Sequence, residues 1–571
     1  MRRVPTSVVA ALCGVAACSG DNGGTGPSPS VECGSGGVVS LAALQAVTLD
    51  CSAGGTFTLS GQGASYLVVP QLAVGDAPNR PVAYALGVGG GAVATVARSE
   101  GPAAAVASRR LVMPSVMRPL PGERQRAFDA ALRGRARGRA AGGVSLPAPS
   151  FAVGAPPTAG SLRDFHVLAS FDTGQTFRRI TARLAYVGGN ILVYVDTLAP
   201  AGGFTADQLN GFGQLFDQTF YALDVGAFGA PSDEDQNGRV IMLLSPVVNE
   251  LTSASQCASQ GYIAGFFDGF DLVSQDTSSN RGEIFYGVVP DPNGTLSCPH
   301  PIDAILSDVP SVFLHELQHL INFSQHVLLH GGQSEDGWLD EGLSLVAQEL
   351  GALYYERKFP PPSGRTDPNQ LLPDSAQGFI ATELASSYDF LLQPDTVTLT
   401  GHSDADLGLT WRGGDWLLLR WLGDQEGTPF FHRLEETRLT GTANIAAAAG
   451  ESFPGLFGDF GLAVYADSLP GIPRTSIPPR LRFVTRTLRR VYQAYFDVAG
   501  PSPSVPRPFP IAPTVLAGSV TGNLVPGTAA FYQLTTAGDA ATVELRFTAP
   551  GGVALPAGLH PQVAVFRLPG P

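Results

Sequence analysis

Apolar spacing along the chain changes character twice. Over residues 31–100, short runs such as Ala46-Val47-Thr48-Leu49 and Ser65-Tyr66-Leu67-Val68-Val69 are separated by glycine-rich turns, which predicts a small β-sandwich module. From 161 to 500 the periods mix. Residues 180–187 and 191–195 have strand composition and are joined by Gly188-Gly189-Asn190, while Leu209, Phe212, Leu215, Phe216 and Phe220 recur at helical spacing across 205–223. Residues 239–244 have strand length, with Arg239 leading a continuous apolar run from Val240 to Leu244, and 308–327, 338–355 and 410–422 have the pattern of buried helices. Residues 514–571 return to β character, with Phe531-Tyr532-Gln533-Leu534 and Val543-Glu544-Leu545-Arg546-Phe547. The expectation is an α+β domain flanked by small β-sandwich-like modules. Two connecting stretches are marked by composition: 101–160, rich in Arg, Ala, Pro and Gly, reads as a linker or propeptide-like segment, and 501–513 as a Pro-rich linker.

Composition supports a large folded protein, since 44% of residues are hydrophobic and only 15% charged. The net charge of −14 argues against nucleic acid as a partner, because phosphate binding requires a basic face. Arg2 and Arg3 precede an apolar run too short to span a bilayer, which ends in Val15-Ala16-Ala17-Cys18. Residues 1–18 therefore resemble a lipoprotein signal peptide with Cys18 as the lipidated residue, and 19–30 a disordered tether. An ordinary cleaved signal peptide is the alternative. Either reading implies export: a cell-envelope lipoprotein, by preference in the outer membrane and held there through a lipid on Cys18, or a secreted protein. The remaining cysteines are Cys33, Cys51, Cys257 and Cys298. Four cysteines in an exported chain fit two disulfides, and proximity favours Cys33–Cys51 and Cys257–Cys298.

The chemistry concentrates in His315-Glu316-Leu317-Gln318-His319. On a helix, positions i and i+4 share a face, so both imidazoles can ligate one Zn2+, with Glu316 beside the first as general base. A catalytic zinc needs a third protein ligand and a place for water. A third His ten residues after the first is ruled out, because Gln occupies position 325. Glu341, in Trp338-Leu339-Asp340-Glu341-Gly342-Leu343-Ser344, fits as a ligand from a second helix. Gly342 and Ser344 are small enough for that helix to approach the first closely. Such a site activates water at the metal, with Glu316 taking its proton during attack on a carbonyl and delivering it to the leaving amine.

These residues, with Leu320-Ile321-Asn322-Phe323 after the first motif, resemble the gluzincin metallopeptidases, and within them the hyicolysin family of secreted bacterial peptidases. The acidic turn and strand over 233–241, Asp233-Glu234-Asp235-Gln236-Asn237-Gly238-Arg239-Val240-Ile241, and the strand-like 279–286, Ser279-Asn280-Arg281-Gly282-Glu283-Ile284-Phe285-Tyr286, are similar to pieces of that family. The resemblance covers about residues 160–430. It implies a zincin-like metallopeptidase domain with an edge strand above the metal helix, and endopeptidase action on protein or peptide substrates. Related enzymes place an acidic residue four positions after the ligand Glu, where this chain has Leu345, leaving Asp340, Asn322 or Asp308 to orient a histidine. For the oxyanion stabiliser, Tyr388, His402 and Arg412 are candidates. Asp233, Asp235 and Asn237, followed by Gly238, also fit a Ca2+ loop, although Leu244 stands where a full EF-hand loop has Glu; an Asx-rich turn is the alternative. Competing readings are an inactive zincin acting as a binding protein, a structural zinc site and an aminopeptidase. The last lacks its Gly-x-Met-Glu-Asn strand, and Glu283 is expected to face solvent or cap a strand.

Overall fold

The computed structural model describes residues 26–75, 77–89, 123–140, 157–171, 175–272, 277–359, 374–402 and 408–570. Cys18, the signal-like stretch and most of the tether lie outside these residues, as do 90–100 at the end of the first β stretch and 101–122 and 141–156 of the Arg/Pro-rich segment. No described helix is long and apolar enough to cross a membrane.

The central sheet positions the site. Its strands are β1 (Leu162–Ser170), β2 (Thr176–Val187), β3 (Ile191–Asp196), β4 (Val240–Leu244), β5 (Gly265–Phe267) and β6 (Ile284–Gly287). They lie in the order β5-β6-β4-β3-β2-β1. The trio β3, β4 and β6 is parallel, and β5 runs antiparallel to β6 along the edge. The apolar run of β4 is buried at every residue because the sheet is covered on both faces.

Five helices matter to the site: α1 (Glu123–Ala140), α2 (Ile302–Phe323), α3 (Gly337–Lys358), α4 (Asp374–Leu392) and α5 (Thr410–Glu426). The sequence pattern starts α2 near residue 308, but the helix begins six residues earlier and carries Pro310 inside it. A proline is expected at a helix start, where its missing N–H costs nothing, and here it is accommodated within the element. α2 and α3 pack as neighbours, α3 also lies against α4 and α5, and β5 runs beside α2.

The two β-rich ends do not form separate sandwiches. Strands from both ends alternate in a six-stranded and a five-stranded sheet. Pro561–Arg567 pairs with both Ala46–Asp50 and Ser65–Leu72, and Thr542–Thr548 lies between Thr56–Ser60 and Val82–Gly89. The shared interior is built from Leu49, Leu59, Tyr66, Leu86, Leu545 and Val563. Each terminal stretch alone presents unpaired strand edges, and interleaving satisfies them. Both expected disulfides are formed, Cys33–Cys51 within the sandwich and Cys257–Cys298 in the central domain.

Candidate metal centre

His315 and His319 lie one turn apart on α2, and Glu341 enters from the first turns of α3. The ligand atoms of all three lie within 4.8 Å of one another. The two Nε2 atoms are 3.1 Å apart, and His315 Nε2 is 3.6 Å from Glu341 Oε2. Zinc bound at about 2.0–2.1 Å in tetrahedral geometry sets its ligands about 3.4 Å apart, so this donor set fits a zinc ion.

The outer nitrogens show why the inner ones converge. His319 Nδ1–H donates to Asp340 Oδ1 at 2.9 Å, and His315 Nδ1–H to Gln348 Oε1 at 3.2 Å. Each ring is thereby fixed in the tautomer whose Nε2 lone pair faces the shared point. Two lone pairs so close require a proton or a cation between them. Of the three carboxylate and amide candidates for orienting a histidine, Asp340 is the one in place. Asn322 instead donates to Glu435, and Asp308 accepts from Tyr262. Gln348 was not foreseen, although it lies seven residues after Glu341, two turns along the same face of α3.

Burial and charge separate the protonation states. Burial pulls His315 down to about 3, reinforced by its neighbour His319. Burial pulls His319 down too, but Asp340, Glu316 and Glu341 outweigh it and push the ring up to about 9. Glu341 would be raised by burial, yet Arg133 and Arg412 hold it well below the usual carboxylate range. Glu316 is pushed well above its ordinary value, chiefly by burial and then by the nearby Asp129.

Glu316 points to the edge strand. Phe267 N–H of β5 donates to its Oε2 at 3.0 Å, while its Oε1 is buried without a hydrogen-bond partner. A cavity of about 470 Å³ beside it is lined by His315, Glu316, Gln348, Glu383 and Arg412.

Of Gly342 and Ser344, only Ser344 serves the expected contact, donating to Gln318 Oε1 of α2 at 2.5 Å. A Cβ on Gly342 would meet Leu419 Cδ1 at 2.7 Å, so that glycine admits α5 instead of α2.

The three oxyanion candidates part company. Arg412 reaches the site but donates Nη1–H to Glu341 Oε2 at 2.5 Å. Tyr388 is fully buried, donates to the Arg507 carbonyl and packs edge-on to Tyr492 and Tyr495, because its face of α4 turns toward the C-terminal helix Leu488–Ala499. His402 stacks on Trp411 and donates from Nε2 to the Thr398 carbonyl at 2.8 Å. Neither of these two lines the cavity.

The acidic loop also assembles differently from its sequence reading. Asp233 and Asp235 come within 4.8 Å of Glu283, while Asn237 is used locally, its amide donating to Asp235 and its Oδ1 accepting from Arg239 N–H. Glu283 is 1% exposed, so it does not face solvent; just before β6 it accepts from Ser232 Oγ and Glu234 N–H.

Helix α1, expected from its composition to belong to a linker or propeptide-like segment, is part of the site. Arg133 pairs with Glu341 Oε1, and the Asp129 carboxylate lies within 4.8 Å of ligand atoms of His315 and Glu316.

Two adjacent helices carrying a His-His-Glu donor set beneath an edge strand, in a mixed α+β domain, define a candidate mononuclear zinc site of the metallopeptidase class. No protein-family model matches the chain. It is 30% identical over 176 residues to the neutral metalloprotease ShpI of Staphylococcus hyicus, a stretch covering 30% of this chain and 36% of that protein. The chain thus spans about a third of the length of the curated relative it matches, and is a distant metalloprotease homologue with a candidate zinc site at His315, His319 and Glu341.

Proposed function

We propose that the protein is a zinc-dependent endopeptidase that hydrolyses peptide bonds in proteins. The observation that carries this is the convergence of His315, His319 and Glu341 with the buried, unpartnered Oε1 of Glu316 beside them. When bound, zinc supplies a Lewis acid that polarises a carbonyl and brings the pKa of water to about 7. Phe267 N–H fixes one oxygen of Glu316 and leaves the other for the proton of an attacking water. A carboxyl with a raised pKa holds that proton readily and returns it to the departing amine. The outer edge of β5 above α2, where the Gln125 amide bonds the Gly265 carbonyl and Ala264 N–H, suits an extended peptide added as a further strand. Export to the cell envelope through a lipid on Cys18 belongs to the same proposal and is supported by the lipobox-like sequence and the two disulfides.

The test is cleavage of an unfolded protein substrate by the full chain and by the Asp129→Ala/Arg133→Ala variant introduced below. Zinc-dependent cleavage, removed by chelation and lowered by about 10²–10⁴-fold in Glu316→Gln, is expected. No metal-dependent cleavage from either form overturns the proposal.

A further inference from the structure

Helix α1 packs across the cleft where a substrate of the proposed peptidase would have to lie. Its anchor is Phe128, fully buried between Phe171 and Phe266 with ring centroids at 4.6 and 4.8 Å. Arg124 adds a hydrogen bond to the Leu251 carbonyl at 2.8 Å. Three further side chains, at four-residue spacing on one face, meet the machinery in turn. Gln125 Nε2–H donates to the Gly265 carbonyl at 2.8 Å, and its Oε1 accepts from Ala264 N–H at 2.9 Å. The same amide donates to Asp129 Oδ1 at 2.8 Å, which fixes that carboxylate beside His315 and Glu316. Arg133 pairs with Glu341.

We propose that α1 is an intramolecular plug of the metal cleft, in which Gln125 stands in for a substrate peptide group on β5, Asp129 supplies a fourth donor to the metal and Arg133 clamps Glu341. The functional consequence, a latent enzyme, rests on the peptidase reading; the ligand role of Asp129 does not. Three observations converge on it. A primary amide offers one N–H and one C=O, the same pair that a peptide group presents to a strand edge, and Gln125 spends both on consecutive residues at β5. Three protein ligands leave a zinc position open for solvent, whereas four close it, and closed sites are structural and inert. The buried Asp129, at 5% exposed, brings a further carboxylate within 4.8 Å of ligand atoms of His315 and Glu316. Finally, among the described residues of α1 only Phe128 and Leu132 join the central apolar core, and the contacts of Arg124, Gln125, Asp129 and Arg133 named above are polar, so withdrawing the helix removes two side chains from that core.

The experiment uses the full chain loaded with Co2+, in parent, Asp129→Asn and Asp129→Ala/Arg133→Ala forms, with circular dichroism establishing that each is folded. The visible absorption of the cobalt should change in both variants, because a carboxylate donor is lost. Metal release to excess chelator should be at least tenfold faster, and hydrolysis by the zinc-loaded double variant at least tenfold faster than by the parent. Unchanged spectra and release rates in both variants overturn the plug, whatever hydrolysis does. Altered spectra with hydrolysis no faster than that of an active parent overturn latency. Altered spectra with no hydrolysis from any form overturn the peptidase reading and support Asp129 as a ligand.

Discussion

Asp340 accepts the Nδ1 proton of His319, and that contact decides which imidazole nitrogen faces the metal. Removing such a partner typically costs 10–100-fold in metal affinity, so Asp340→Ala should weaken zinc binding by about that factor in competition with a chromophoric chelator. Gln348→Ala should act in the same direction with a smaller loss, since a neutral acceptor stabilises the ring less than a carboxylate does. The pH dependence follows from the same pair. Without metal, His319 titrates at about 9, above its ordinary value, and zinc binds only the unprotonated ring. Zinc uptake at pH 7 should therefore release about one proton per ion, and apparent affinity should fall about tenfold for each pH unit below 9. Calorimetry in buffers of different ionisation enthalpy measures both. Asp340→Asn should shrink the released proton fraction at pH 7, because the ring then titrates nearer its usual range.

At the scale of elements, close helix approach holds the ligand set. Gly413 on α5 faces α4 so tightly that a Cβ would lie 2.2 Å from the backbone of Ser386 and Ser387. Gly342 is similarly pressed against α5. Gly413→Ala should destabilise the fold by about 1–3 kcal/mol or more and loosen Arg412 from Glu341, read as a lower denaturant midpoint with weakened metal binding. Gly211, in the helix Ala206–Leu215, has nothing within 4 Å of its Cβ position. There Gly→Ala should instead stabilise by about 0.5–1 kcal/mol. The contrast separates helix propensity from packing, and an equal shift at the two sites would contradict the packing account. The periodicity of α2, α3 and α5 was legible because each buries a wide apolar stripe. Which glycine admits which neighbour was not, since a glycine carries no mark of its partner.

For the whole molecule, two features extend beyond the cleft. Because the terminal β stretches interleave, cutting the chain after residue 513 removes Pro561–Arg567 and Thr542–Thr548 from the middle of both sheets. The expected outcome is loss of the N-terminal strands as well, seen as aggregation or protease sensitivity of residues 26–89; a soluble, protease-resistant N-terminal half would contradict it. The second feature is Glu383, which lines the large cavity at 1% exposure with neither oxygen hydrogen-bonded. Burial raises its pKa from 4.5 to about 8. The folded state thus keeps a proton that the unfolded chain gives up, so this stability is present below pH 4.5 and is lost as pH rises through 8. Glu383→Gln should be nearly neutral at pH 4 and stabilising by on the order of a few kcal/mol at pH 9, measured by denaturant unfolding at the two pH values.

By itself the sequence determined what is local. The i, i+4 histidines with Glu316 between them, the helical stripes on either side and the alternation of the outer strands all depend on residues within a few turns of one another. Glu341 was also readable, because a short turn between two adjacent helices limits where the second can go. Tertiary structure decided everything that needed a partner distant in sequence. It chose Asp340 over Asn322 and Asp308, gave Arg412 to Glu341, and turned Tyr388 and His402 away. It also merged the two β-rich ends into one sandwich. The largest such decision is at α1, where Gln125, Asp129 and Arg133 stand at helical intervals but are ordinary surface residues until the fold lays that face across the metal centre. Local propensity fixes the spacing of side chains along an element, while only packing fixes what that spacing meets.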